Sequence, residues 1–590
     1  MNMKALLHSL LLALMVILAG CSASKPVVEK PLPPARTAPP PATQPPSPTA
    51  STADKTLGEV APPPPGIMPP SEPARQAAAS TQRRAMSKSM VSANAYLAAP
   101  MMMVPMQPMP GDVDTEHYTH RDTNPVQLVS EQPVSTFSID VDTGSYTNVR
   151  RMLNEGQLPP ADAVRAEEFI NYFDYGYAPP ADREQPFSVT TELAPAPWNA
   201  KRQLLLVGIQ GYRVPAAEIP ASNLVFLIDT SGSMNEPDKL PLLQASLKQL
   251  VRELRPQDRV AIVTYAGSAG VALPSTAGDK HATIDAAIDS LDANGSTNGG
   301  AGIELAYAQA EQGFIKGGVN RVILATDGDF NVGTVNEEAL KTTIEDHRKS
   351  GVALTTLGFG EGNYNDAMAV MLADAGNGSH HYIDSLQEGR RVLVDEMSAT
   401  LLTIAKDVKI QVEFNPSLVQ EYRLIGYEKR MLKREDFNND KVDAGEIGAG
   451  ANVTAIYEIT PKGSDAARID PLRYGDKSPI KSGGSELAFL RLRYKLPGQS
   501  DSRLIERPIA AQPEVHASER LRYAAAVSAF ADALRGGKYL DGYGYARIAQ
   551  LANGARGNDA DGYRAGFVQL VKLADGLATR DHADSDTAAR

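Results

Sequence analysis

The chain has 590 residues, 42% of them apolar and 22% charged, a formal net charge of −12 and one cysteine, Cys21. That length allows several packed domains. The acidic balance disfavours nucleic acid and anionic surfaces as partners, and one cysteine excludes an internal disulfide.

The chain starts Met-Asn-Met-Lys and runs apolar from Ala5 to Ala19, with His8 and Ser9 inside the run. A basic start and a short apolar core predict a secretory signal peptide over 1–21, too short for a stable membrane span. It ends Leu18-Ala19-Gly20-Cys21, which resembles the bacterial lipoprotein cleavage box. The resemblance implies lipidation of Cys21 and anchoring to the membrane. Ser22 rather than Asp follows the cysteine, which by the same resemblance favours the outer membrane, with the body expected in the periplasm. Residues 22–112 hold 21 of the 43 prolines and predict a disordered linker. Such a tether reaches ~55 Å as a coil and ~280 Å if fully extended. Its Met101-Met102-Met103 and Met106 carry thioethers, soft ligands that suit Cu(I); a flexible apolar patch is the preferred reading.

Residues 113–221 read as a mixed α/β module. Residues 137–141 alternate like a strand, 145–154 and 162–173 have helical spacing around the Pro159-Pro160 break, and 187–193 and 203–209 are strand-like.

Residues 222–402 alternate strand and helix patterns, as a parallel sheet with flanking helices requires. Strand 224–228 ends in Asp229-Thr230-Ser231-Gly232-Ser233. Helix 240–254, strand 259–265 and helix 284–291 follow. Thr297 stands directly before a further helical run, and strand 322–326 ends at Asp327. Then come helix 337–349, strand 352–357, helix 365–375, strand 381–383 and a last helix to about 402. In open α/β sheets, ligands bind beyond the carboxyl ends of the strands. Asp229, Ser231, Ser233, Thr297 and Asp327 supply hard oxygens there. Mg²⁺ takes octahedral oxygen coordination and keeps several waters, so this set can leave one position open.

The pattern D-x-S-x-S, then Thr, then Asp resembles the metal-ion-dependent adhesion site (MIDAS) of the von Willebrand factor type A (VWA) family. The resemblance implies that Ser231, Ser233 and Thr297 touch a cation, with Mg²⁺ expected and Ca²⁺ or Mn²⁺ as alternatives. Asp229 and Asp327 would hold it largely through water. A carboxylate of a protein partner would fill the open position.

Period-two alternation returns in 408–414, 453–459 and 487–494, so 403–512 reads as a β-sandwich. The strands before residue 222 have the same character. The expected fold is therefore an α/β VWA domain, with helices on both faces of a mainly parallel sheet, inserted in or packed on an antiparallel β-sandwich. A helical region at 513–577 and a disordered tail at 578–590 complete the expectation. The segments 135–146 and 433–450 resemble the terminal domains of a family of bacterial VWA lipoproteins.

Three other motifs carry less. Ile139-Asp140-Val141-Asp142-Thr143-Gly144 mimics an aspartic-protease loop, but such an enzyme needs two carboxylates sharing a proton, and Asp229 is better explained as a metal residue. Asp436 to Asp440 starts like a Ca²⁺ loop, yet Lys441 stands where glycine is usual. His380 and His381 are neighbours in a strand and point to opposite faces, which favours structural roles. The chain has no P-loop, nucleophile elbow or H-E-x-x-H. The expected function is non-enzymatic: an envelope lipoprotein that binds a protein partner through the metal, in scaffolding, assembly or adhesion. The alternatives are a metal-dependent or aspartyl-type hydrolase, and a structural envelope protein with an incidental VWA site.

Overall fold

The computed structural model describes residues 116–139, 142–295, 299–328, 337–362, 364–396, 402–470 and 484–588. The signal peptide, Cys21, the linker with its methionines, and Thr297 lie outside the described residues.

The N-terminal flank contributes β1 (Gln127–Leu128), β2 (Val134–Ser138), β3 (Phe187–Ala196) and β4 (Asn199–Gly211), with helices Gly144–Asn154 and Ala166–Asn171 between β2 and β3. A central domain follows with β5 (Ser222–Asp229), β6 (Arg259–Tyr265), β7 (Ala269–Ala277), β8 (Val319–Thr326), β9 (Ala353–Gly358) and β10 (His380–Tyr382). The C-terminal flank adds β11 (Thr403–Phe414), β12 (Val419–Ile425), β13 (Ile447–Gly448), β14 (Asn452–Pro461), β15 (Glu486–Lys495) and β16 (Ser502–Ala510).

The central sheet has the order β10-β9-β8-β5-β6-β7. Its neighbours pair in parallel except β6 with β7, which is an antiparallel edge. The apolar run of β5 is continuous because both faces are covered. Leu224, Phe226 and Ile228 pack with the helix Leu240–Val251 on one side. Val225 and Leu227 pack with Ile303, Ala306 and Tyr307 of the helix Gly299–Gln312 on the other.

The flanks build one sandwich together. One sheet runs β1-β12-β14-β4-β3, so its middle joins β4 from before the central domain to β14 from after it. The other runs β13-β11-β15-β16, with β2 also paired to β11. The central domain is thus an insertion between β4 and β11, in agreement with the expected architecture. Alternation along β4 sends Leu205, Val207 and Ile209 into the sandwich interior. Leu204 and Leu206 face the opposite way, against a helical layer that includes Phe169, Phe530 and Phe567. That layer comprises Glu519–Leu534, Tyr545–Asn553 and Tyr563–Ala588.

The last helix continues to Ala588, into the tail expected to be disordered over 578–590; no glycine or proline follows Leu577 to end it. Of the helix expected to run to about 402, Leu386–Arg390 is α-helical and Arg391–Asp395 π-helical, and 397–401 lie outside the described residues. Several strands carry too weak an alternation to be read in advance: β7 contains Gly270 and Pro274, and β16 is mostly exposed. No helix among the described residues is long and apolar enough to cross a membrane.

Candidate metal site

Asp229 is the last residue of β5 and is fully buried. Its Oδ1 accepts a hydrogen bond from the backbone N–H of Ser231 at 2.8 Å, the Asx geometry that lets a carboxylate organise the turn after it. Its Oδ2 is buried and makes no hydrogen bond of ordinary geometry among the described residues, although the Tyr265 hydroxyl acts on the same carboxylate. A buried carboxylate oxygen without a donor is unfavourable. Burial pushes the Asp229 carboxyl up to about 6; bonds from Ser231 oppose the rise, and the charge of Asp327 adds to it.

The turn then presents its hydroxyls. Ser231 Oγ lies 3.0 Å from Ser233 Oγ, inside the turn Gly232–Asn235. The loop is tied to its surroundings by backbone bonds: Thr230 N donates to Tyr265 O, Gly232 N to Gly295 O, and Asn294 N to Thr230 O. The stretch up to Gly295 is thereby fixed against the D-x-S-x-S turn. Asp327 follows β8, the strand beside β5, and is fully buried. The structure therefore brings Asp229, Ser231, Ser233 and Asp327 to one end of the central sheet, where adjacent parallel strands finish. These residues fit a hard divalent cation: two hydroxyls close together, one carboxylate oxygen lacking a donor of ordinary geometry, and a second buried carboxylate. Among the described residues there is no group of three or more His, Cys, Asp or Glu arranged to hold a metal.

Lys239 is the residue that sequence reasoning missed. It is buried, and its Nζ lies 3.1 Å from Asp327 Oδ2. Its stem passes over Gly360, where φ is +71° and a Cβ would fall 2.1 Å from Lys239 Cε. The sequence does hold a signal. Lys239 immediately precedes the helix Leu240–Val251, and the helix dipole disfavours a cation there. An ammonium group on Asp327 partly supplies the charge that a metal would bring, and it opposes a cation binding alongside. Lys239→Met is therefore expected to tighten Mg²⁺ binding by about tenfold, or about 1.4 kcal/mol, in a calorimetric titration. Equal or weaker affinity in the variant would contradict that role.

The other motifs resolve as structure. Asp142 is buried, accepts from the backbone N–H of His380 at 2.8 Å, and pairs with Arg430 at 3.1 Å and Lys429 at 3.6 Å. Burial alone would raise its carboxyl, but these two cations and the His380 bond hold it well below the usual carboxylate range. His380 is bonded to Thr356 and Tyr364, and His381 to Thr143 and Ser379. At the Ca²⁺-like loop, lysines take the oxygens. Lys409 Nζ donates to Asp436 O and Asn439 O at 3.1 and 2.6 Å, and Lys495 Nζ to Asp440 O at 2.9 Å.

Comparison with known proteins covers nearly all of the described chain. The model of the von Willebrand factor type A domain matches residues 223–390, and a von Willebrand factor model matches 112–206. The model described as the C-terminal region of the uncharacterized protein YfbK matches 399–577. YfbK of Escherichia coli strain K12 is 54% identical over 472 residues, spanning 78% of this chain and 82% of its own. Inter-alpha-trypsin inhibitor heavy chain 4 of Mus musculus is 29% identical over 175 residues, 28% of this chain and 18% of that protein. Among solved structures, a von Willebrand factor type A protein from Catenulispora acidiphila is 17% identical, covers 65% of this chain and 89% of its own, and has a TM-score of 0.37. Mussel byssus proximal thread matrix protein 1, described with a zinc-occupied MIDAS motif, is 25% identical over 30% of this chain and 45% of its own, with a TM-score of 0.25.

Proposed function

Because the chain belongs to the bacterial YfbK family of von Willebrand factor type A proteins, we propose that it is a non-enzymatic envelope lipoprotein that binds a protein partner through a divalent cation. The VWA family is one of protein–protein interaction and adhesion. The finer reading rests on the buried Asp229 carboxylate, whose Oδ2 has no donor of ordinary geometry among the described residues, beside the facing hydroxyls of Ser231 and Ser233. Asp229, Ser231, Ser233, Thr297 and Asp327 hold the ion, Mg²⁺ first and Ca²⁺ or Mn²⁺ as alternatives. The ion supplies a Lewis-acidic centre for a carboxylate of the partner.

The chain's own residues prepare the site. The Ser231 N–H fixes the Asp229 carboxylate, and the bonds to Tyr265 O and Gly295 O hold the serine turn rigid. The acidic body would repel an acidic partner without the ion. The N-terminal segment ending at Cys21 supports an outer-membrane anchor with the folded part in the periplasm, and the Pro-rich linker gives it reach.

Thr297→Ala and Asp327→Ala are expected to abolish cation-dependent capture of the partner from envelope extract while thermal unfolding stays cooperative. Undiminished capture in both variants would refute the reading. A second reading, a structural envelope protein with an incidental VWA site, is favoured by the Lys239 ammonium on Asp327. Unimpaired function of a Ser231→Ala/Ser233→Ala double variant in the native host would establish it.

A further inference from the structure

A cavity of about 620 Å³ lies where the central domain meets the sandwich, beside β10, the edge strand of the central sheet. Its wall includes Arg321 of β8, Ser379 and His381 beside and within β10, Thr403 at the start of β11, and Glu446 and Asn452 around β13 and β14. Arg321 lies six residues before Asp327 in the chain, about 20 Å along an extended strand. This volume falls within the range of small-molecule sites.

Arg321 is unusual among the buried cations. It is 4% exposed. Its side chain makes one hydrogen bond among the described residues, from Nη1 to Thr355 Oγ1 at 2.6 Å. Its Nε has no acceptor among the described residues and is closed to solvent, so a solute in the cavity would meet the Nη end of the guanidinium. No carboxylate among the described residues pairs with it. Burial pulls the guanidinium down to about 10, and Glu446 opposes this from beyond ion-pair distance. A buried guanidinium is normally paired or bonded on all its N–H groups.

The carboxylates on the cavity wall do not answer this need, because each already holds another cation. Asp174 pairs with Arg213, Asp374 with Lys429 and Arg430, and Asp395 with Arg390. Glu396 pairs with Arg391, Asp443 with Arg348, and Glu446 with Lys406. Of the four arginines on the wall, Arg213, Arg391 and Arg430 pair with carboxylates, and Arg321 has no such partner among the described residues. A guanidinium fork matches two oxygens of a planar carboxylate or of a phosphate. Asn377, Ser379 and Asn452 add polar side chains to the wall, which suits a hydrophilic molecule rather than a lipid tail.

We propose that this cavity binds a small, polar solute through an oxyanion, a carboxylate or a phosphate, held by Arg321. The site is separate from the metal site and does not depend on it.

The test is thermal unfolding of the full chain in millimolar sodium succinate, in millimolar sodium phosphate, and in sodium chloride at matched ionic strength, with EDTA present throughout. At least one of the two oxyanions is expected to raise the midpoint above the chloride control. Response to succinate alone identifies a carboxylate ligand, and response to phosphate alone a phosphate ligand. Arg321→Met is expected to unfold at or above the wild-type midpoint without ligand, because an unpaired buried charge is gone. It should lose the response, with apparent affinity falling on the order of a hundredfold. Arg321→Lys, which keeps the charge but not the fork, should respond weakly. If Arg321→Met does not fold, Arg321→Lys carries the comparison. No oxyanion-specific rise in the wild type, or a wild-type response in the variant that folds, overturns the proposal.

Discussion

Asp142→Ala is expected to destabilise the protein by about 3 kcal/mol, measured by denaturant unfolding at neutral pH. The carboxylate joins three parts of the chain: it follows β2 of the N-terminal flank, accepts from His380 N in the central domain, and pairs with Lys429 and Arg430 of the C-terminal flank. Removing it leaves two mostly buried cations sharing Asp374, and it leaves a buried N–H without its acceptor. Asp142→Asn should lose less, because an amide oxygen still accepts from His380. The folded-state carboxyl is depressed, so its contribution is complete above the usual aspartate range and fades as pH falls through the folded value. The gap between wild type and Asp142→Ala should therefore narrow in acid. An unchanged stability in the variant would mean that Lys429 and Arg430 are satisfied by Asp374 alone. The same geometry gives the carboxylate of the aspartyl-protease-like motif a structural partner set, Lys429, Arg430 and the His380 N–H.

Asp229→Asn is expected to act in the opposite direction on the metal-free protein. The folded carboxyl of Asp229 is raised to about 6 from a usual 3.8. In EDTA, wild-type stability should fall as pH rises from about 4 through about 6 and stay low above it, a loss on the order of 3 kcal/mol. The asparagine keeps the oxygen that accepts from Ser231 N and carries no charge, so its profile should fall less steeply over that window. Above pH 6 it should be the more stable protein in EDTA. Mg²⁺ should restore the wild type and leave the variant unmoved. Parallel pH profiles for the two proteins would mean that burial does not penalise this carboxylate.

The central domain was legible because its physics is local and periodic. Residues 224–228 have apolar side chains on both faces, and only a strand covered on both sides needs that. The turn at Asp229 to Ser233 and the end of β8 at Asp327 follow from the rule that parallel strands end together at the binding edge. The continuous run Leu204-Leu205-Leu206-Val207 in β4 has the same cause, a sheet sandwiched between β-strands and helices. Other features were not legible because they depend on partners distant in sequence. The pairing of β4 with β14 spans the whole inserted domain, and no local pattern encodes it. Lys239 meets Asp327 only through the packing of a helix start against a strand end. The Ca²⁺-like loop failed for the same reason, since Lys409 and Lys495 arrive from other strands to take its oxygens.

The central claim is that the cation at Asp229, Ser231, Ser233, Thr297 and Asp327 bridges this chain to an acidic protein partner. Its most direct test is capture from envelope extract with the full chain as bait, run in Mg²⁺ and in EDTA, beside Asp229→Ala. The account predicts a partner retained by the wild type in Mg²⁺ and lost both in EDTA and in the variant. A partner retained under all three conditions would contradict it and move recognition to the flanking domains.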